Sequence, residues 1–310
     1  MGNTSLLASP KQQKLPIHAR GNLRILNSLS GDPAIPMPTN ENSATNHVQV
    51  MGILNVTPDS FSDGNRFVSE SAILAQVRKM VAAGADIIDI GGESSRPMAK
   101  PVSLEEETAR VVPTIKTIRH EFPVRISIDT TKAAVARKAL EAGADIINDI
   151  SALKFDPEMI DLVRETDSPV VLMHMQGTPG NMQKTPKYDN VISEISDFLQ
   201  ERIEWATALG IKKSKIIIDP GIGFGKTLAH NLSILKHLDR FKALGCQVLL
   251  GHSRKAFIGK ILDREVEDRD TATAIVSALS CLKKVDIIRV HDVDKTVQAI
   301  KMATAIETAE

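Results

Sequence analysis

Eight short apolar runs rich in Ile, Val and Leu recur between residues 48 and 292. They are VQVMGILNV (48–56), ADIIDIGG (85–92), VRISIDTT (124–131), ADIINDIS (144–151), PVVLMHM (169–175), KIIIDPG (215–221), QVLLGHS (247–253) and DIIRVHD (286–292). A strand with one wet face alternates apolar and polar residues. These runs do not alternate, so they read as strands of a parallel sheet covered on both faces. The stretches between them have helical spacing. SAILAQVRKMVAAG (71–84) and TKAAVARKALEAG (131–143) stop at glycine, and DNVISEISDFLQERIEWATALG (189–210) is the longest. SLEEETARVVPTIKTIRHE (103–121) opens with Ser103 followed by Glu106, the pattern of a capping box. A weak internal repeat, AAGADIIDI (82–90) against EAGADIINDI (141–150), marks a helix end turning into a strand.

Eight strands alternating with helices describe an α/β fold of the (β/α)8 TIM-barrel class. Periodicity does not see closure, so a doubly wound sheet stays open, but the count of eight favours the barrel. Residues 1–46 differ: the segment 27–47 is dense in Asn, Ser, Pro, Gly and Thr, and 15–26 admits one hairpin turned at Gly21. The expected organisation is a partly flexible N-terminal leader over 1–46 and a catalytic barrel over 47–310.

The core must be aliphatic, because aromatics make up only 3% of the chain against 42% hydrophobic residues overall. With 38 basic and 38 acidic side chains, the formal charge is zero. That balance argues against nucleic-acid or anionic-membrane partners, without excluding one basic pocket. Cys246 and Cys281 build neither a disulfide framework nor a zinc site and read as thiols in a reducing compartment. No run reaches the ~18 apolar residues of a membrane span, and no secretory or myristoylation signal opens the chain. A cytoplasmic protein is expected.

Parallel barrels carry their chemistry at the carboxyl ends of the strands. Those ends are polar: Asn55, Asp89 with Glu93, Asp129, Asn148, His174, Asp219, His252 with Ser253 and Lys255, and Arg289 with His291. One such residue is more often a cap, whereas eight polar strand ends on one rim mark a site. The acids and amides suit a flat heterocycle with an amidine-like edge, because a carboxylate accepts two parallel hydrogen bonds. Lys255, Arg289 and His291 form an opposite pole suited to phosphate or carboxylate. GIGFGKT (221–227) looks like a phosphate loop, but Pro220 and Lys226 stand where the two glycine-rich patterns need glycine. His174 reads as a supporting histidine rather than a catalyst. Lys226 divides between a structural ion pair and a site contact. Trp205 and Tyr188 read as packing on or near the long helix, and strand period turns Arg254 away from the rim. A nucleophilic reading of Ser253 has nothing to orient His252 as its base.

These same residues carry a family resemblance. MGILNVTPDSFSDG (51–64), DIIDIGGESSRP (86–97), SIDTTK (127–132), INDIS (147–151), LMHMQG (172–177), IIDPGIGFGK (217–226), GHSRKAFIG (251–259) and IIRVHDV (287–293) closely resemble the dihydropteroate synthase family, in order, from about residue 47 to 300. The resemblance implies a (β/α)8 transferase of folate biosynthesis, joining 6-hydroxymethyl-7,8-dihydropterin diphosphate to 4-aminobenzoate by a dissociative substitution. It assigns Asp89, Asp129, Asn148, Asp219 and Lys255 to the pterin, and Asn55, Arg289 and His291 to the diphosphate. Asn55 also matches the position that contacts Mg2+. Phe61, Ser95, Arg96, Pro97 and Ser253 match positions near 4-aminobenzoate, and Asp63, Arg96 and Lys255 carry the catalytic roles. A homodimer through helices near the C-terminus is implied as well.

The chain departs from the family pattern at Ser95, where Thr is common, and at Met98, where Gly is common. His252 takes a usually apolar position and Ala272 a frequent glycine. A methyltetrahydrofolate-type methyltransferase would also use the Asp and Asn pocket, but not the Arg289–His291 pole or the SSRP loop. A non-catalytic pterin-binding barrel would not need every rim group.

Overall fold

The structure, a computed structural model, describes residues 47–57, 70–94 and 101–310. The leader over 1–46 and its hairpin lie outside the described residues, as do Phe61, Asp63, Ser95, Arg96, Pro97 and Met98. Eight parallel strands close in chain order into a barrel: β1 (Gln49–Asn55), β2 (Ile87–Gly91), β3 (Arg125–Asp129), β4 (Ile146–Asp149), β5 (Val170–Met173), β6 (Ile216–Asp219), β7 (Gln247–Leu250) and β8 (Ile287–Val290). Each lies inside the run that anticipated it. Closure, which periodicity left open, comes from β1 pairing with both β2 and β8.

Around the barrel lie α1 (Glu70–Ala82), α2 (Leu104–Glu121), α3 (Ala133–Glu141), α4 (Met159–Thr166), α5 (Val191–Ala208), α6 (Leu228–Lys236), α7 (Asp239–Lys242), α8 (Ala256–Leu262), α9 (Asp270–Cys281) and α10 (Val293–Glu307). At α2 the Glu106 N–H bonds Ser103 Oγ at 3.1 Å, while the Glu106 carboxylate pairs with Arg110. The expected capping box is thus half formed there. The complete box opens α6 instead, between Thr227 and His230, where an imidazole Nδ1 does the work of Glu or Gln. Among the described residues, no helix is long and apolar enough to cross a membrane.

Strand period sorts the side chains into two cores. Met51, Ile87, Ile146, Val171, Ile217, Leu249 and Ile287 fill the barrel interior. Their neighbours Ile88, Ile126, Ile147, Leu172, Ile218, Val248 and Ile288 face outward into the sheet–helix layer. Burying each such side chain stabilises the fold by about 1.5–3 kcal/mol, and branched aliphatics fill the narrow interior without the bulk of rings.

Candidate active site

Two residues beyond each interior aliphatic, the side chain again points inward, one layer nearer the carboxyl rim. Met51 leads through Ile53 to Asn55, Ile87 to Asp89, Ile146 to Asn148, Ile217 to Asp219, and Ile287 through Arg289 to His291. Register then sets them side by side. Asn55 pairs with Gly91, Gly91 with Asp129, and Asp129 with Asn148.

The first surprise is Arg289. Its Nε donates to Asp89 Oδ2 at 2.6 Å and its Nη2 to Asp129 Oδ2 at 2.7 Å. Asn148 Nδ2 lies 3.3 Å from each oxygen of the fully buried Asp89. The acids and the guanidinium therefore form one network, correcting the expectation of opposite poles. The reason is electrostatic: carboxylates this deep need a cation in contact with them. Burial pushes the Asp129 carboxyl up to about 7, against the pull of Arg289, and Arg289 itself is held firmly protonated by the two acids.

Asp219, at the end of β6, lies near the same guanidinium, since a Cβ on Gly251 would be 3.6 Å from Asp219 Oδ2 and 4.0 Å from Arg289 Cδ. Its Oδ1 accepts the Gly221 N–H at 2.7 Å, and burial lifts its carboxyl to about 6. Lys255 Nζ sits 4.1 Å from the centre of the Phe224 ring, a cation–π contact, and burial lowers its ammonium to about 8. Phe224 was not anticipated as a site residue. The signal for it was present in GIGFGK, whose Gly221 and Gly225 bring the loop against the chain that follows β5 while the phenyl ring packs with Met173 and Met182.

Alternation continues past β7. Ser253 Oγ is 2.9 Å from His291 Nδ1 and also accepts the His291 N–H at 3.2 Å. His252 and Arg254 turn the other way, onto α9. His252 Nε2 reaches Thr273 O at 3.0 Å and Ser277 Oγ at 3.1 Å, with its Nδ1 buried and unpartnered among the described residues. Arg254 grips Asp270 through Nε at 2.6 Å and Nη2 at 2.7 Å. Its backbone is left-handed, at φ 56°, a conformation costly for a residue with a Cβ. The helix therefore clamps alternate residues of the loop that presents Ser253 and Lys255. Burial takes the His291 imidazole down to about 3, so it is neutral at physiological pH and offers hydrogen bonds rather than the positive charge expected of it.

Supporting groups complete the rim. His174 is buried as a support, its Nδ1 3.0 Å from Lys226 Nζ. Lys226 makes no carboxylate ion pair among the described residues. Glu93 is not free for a ligand, because Lys132 pairs with it and with the buried Glu107. Trp205 carries the Arg202 guanidinium 3.9 Å from its ring centre, while Tyr188 does more than pack: its hydroxyl donates to Gly225 O at 2.9 Å. Gly91 has no side chain, and a Cβ there would lie 3.5 Å from Asn55 Oδ1 and 3.9 Å from Asp129 Oδ2. The bare glycine leaves a small cradle faced by one neutral and one acidic oxygen. No cluster of three His, Cys, Asp or Glu side chains suited to a metal occurs among the described residues.

Comparison with known proteins bears directly on this rim. The family described as "Pterin binding enzyme" matches residues 51–291. The dihydropteroate synthase of Synechocystis sp. is 46% identical over 258 residues, covering 83% of this chain and 89% of that protein. The chain belongs to the dihydropteroate synthase family. Solved dihydropteroate synthases share the barrel. The Yersinia pestis enzyme with a sulfonamide drug complex superposes with a TM-score of 0.81 at 45% identity, over 84% of this chain and 95% of that one. The Xanthomonas albilineans enzyme with 4-aminobenzoic acid gives 0.80 at 44% identity, over 85% and 94%. Membership in the dihydropteroate synthase family makes the chain a transferase, and identity across the whole barrel favours the synthase over the methyltransferase alternative.

Proposed function

We propose that the rim condenses 6-hydroxymethyl-7,8-dihydropterin diphosphate with 4-aminobenzoate, forming 7,8-dihydropteroate and releasing pyrophosphate. The observation that carries this reading is the Asp89–Arg289–Asp129 network beside Asp219 and Lys255. It offers carboxylates for the amidine edge of a pterin and cations for an anionic tail. Asp219 accepts from the pterin edge, and Asn148 Oδ1 and Lys255 fix the ring's plane. With Nε and Nη2 of Arg289 held by the acids, its Nη1 donors serve the diphosphate. In its Nδ1–H form His291 donates to Ser253 Oγ. That oxygen also accepts the His291 N–H, so the hydroxyl proton is left for the carboxylate of 4-aminobenzoate. The Xanthomonas relative's 4-aminobenzoic acid supports the choice of second substrate.

The C–O bond to the diphosphate breaks first and the electron pair leaves with pyrophosphate. The arylamine then attacks the pterin methylene and loses its proton to solvent. An arylamine is already a free nucleophile, so the site needs no covalent intermediate and no strong base. Positioning and fixed charges carry the catalysis. Asn55, with the cradle over Gly91, fits a single protein contact to Mg2+, an ion that keeps waters and binds substrate phosphates. Bound there, Mg2+ would neutralise charge on the departing pyrophosphate. Arg96 and Asp63 act in catalysis, with Phe61, Ser95 and Pro97 beside 4-aminobenzoate, on the strength of the motif alone.

The working unit is a homodimer. Ile275 and Leu279 on α9 and Met302 and Ile306 on α10 are 57%, 59%, 63% and 70% exposed, beside Leu282. A contiguous apolar face of this kind suits a second copy of the chain. Its setting is the cytoplasm, where Cys246 and Cys281 stay free thiols. Mass-spectrometric detection of 7,8-dihydropteroate, with each substrate omitted in turn, tests the reaction. Product from the complete mixture alone is expected. Methyl transfer from methyltetrahydrofolate instead would overturn it.

A further inference from the structure

Lys226 is 3% exposed, yet its ammonium is held by neutral acceptors only: Phe224 O at 3.0 Å, His174 Nδ1 at 3.0 Å and His174 O at 3.3 Å. Three N–H donors meet three acceptors, so the ion is saturated without a carboxylate. An apolar side chain of the same volume would cost less to bury, which leaves the charge to be explained by what it does to its neighbours. Its acceptors belong to the end of β5 and to the loop 220–226. The loop is pinned there on every side. His174 N–H donates to Asp219 O at 2.9 Å, Tyr188 Oη donates to Gly225 O at 2.9 Å, and Asn231 Oδ1 accepts the Gly223 N–H at 2.8 Å. A Cβ on Gly221 would fall 1.9 Å from His174 O and 3.3 Å from Lys226 Nζ, so Lys226 sits immediately beneath the turn that follows Asp219.

We propose that Lys226 is a positioning residue of the pterin pocket, locking the loop 220–226 onto the end of β5 directly beneath the turn that follows Asp219. This rests on the reading of Asp219 as the pterin acceptor. Locking Phe224 O fixes the ring that carries the Lys255 ammonium, so one buried cation orders a second, exposed to the ligand. The charge also favours the ionised form of Asp219, the form that accepts the pterin's N–H groups. The groups facing this pair are His174 from β5, Lys255 ahead of α8, Arg289 from β8, and Tyr188 and His230 around the loop, with Lys154 acting on His174. Burial keeps His174 neutral, down at about 3, and lowers the Lys226 ammonium to about 7, so its charge is present at pH 6 and mostly lost at pH 8.

Two variants separate charge from packing: Lys226→Met removes charge and donors, and Lys226→Gln keeps donors without charge. Binding of 6-hydroxymethylpterin to the full chain is measured by calorimetry at pH 6 and pH 8, beside the KM for 4-aminobenzoate. Lys226→Met should bind pterin about fivefold more weakly at pH 6 and pH 8 alike, Lys226→Gln should recover most of that loss, and the 4-aminobenzoate KM should stay within about twofold. No loss in Lys226→Met, or a Lys226→Gln that recovers none of it, overturns the proposal. If neither variant folds, the 15N resonance of the Lys226 ammonium in the unaltered protein decides: it should shift when 6-hydroxymethylpterin binds, and an unmoved resonance overturns the role. Unaltered protein that binds no pterin would instead contradict the proposed function.

Discussion

Burial lifts the Asp219 carboxyl from 3.8 to about 6, so its negative charge is strained in the free protein and useful only once a ligand satisfies it. A folded-state pKa above the unfolded value means that ionisation disfavours the fold. The contribution is fully present below about pH 4 and is lost as pH rises through about 6. Asp219→Asn should thus raise the melting temperature of the free protein at pH 7.5, by about 3 °C or more, and leave it unchanged at pH 4. The same change should weaken pterin binding at least ~100-fold in calorimetry, since charged hydrogen bonds are lost. Destabilisation at pH 7.5 would contradict this reading of the carboxyl. Arg289→Met should be severe in the other direction, costing about 3–5 kcal/mol in denaturant unfolding, because Asp89 is left buried without its cation. The inward placement of Asp89, Asn148 and Asp219 was legible from a period of two. The union of Arg289 with Asp89 and Asp129 was not, because the partners lie 200 and 160 residues away in the chain and meet only after closure.

At the scale of elements, all eight strands were legible because burial on both faces writes an uninterrupted aliphatic run. The helices α4 and α6 were less so: unlike α3, which is equally short, neither is closed by a glycine that marks its stop. The loop after β6 shares with a phosphate loop only its glycines, which here serve the close packing of the loop on the chain that follows β5. Gly225 has φ 64°, and a Cβ there would lie 2.5 Å from Gln176 O. Gly225→Ala is expected to cost roughly 2 kcal/mol or more and to raise the pterin Kd; a cost below about 0.5 kcal/mol would show the loop to be loose. The clamp of His252 and Arg254 on α9 makes a second element-scale device. Asp270→Ala should free Arg254, and with it the loop bearing Ser253, raising the KM for 4-aminobenzoate while leaving the unfolding of the barrel cooperative. An unaltered KM would show that α9 does not hold the loop in place.

For the whole molecule, zero net charge was the least informative number, since it hides a mouth in which acids and cations interlock. The exposed apolar face of α9 and α10 is the surface on which the proposed dimer rests. Ile275→Lys with Leu279→Lys should turn a dimer into a monomer in sedimentation, and a wild-type monomer would remove the argument. A chain lacking residues 1–44 should keep its activity, whereas complete insolubility would make the leader part of the fold. The central claim, that this rim joins a pterin diphosphate to an arylamine, is tested most directly by pyrophosphate release. The account predicts release when the pterin diphosphate, 4-aminobenzoate and Mg2+ are all present, and near-background release when any one is omitted. Equal release without 4-aminobenzoate, or none from the complete mixture, would contradict it.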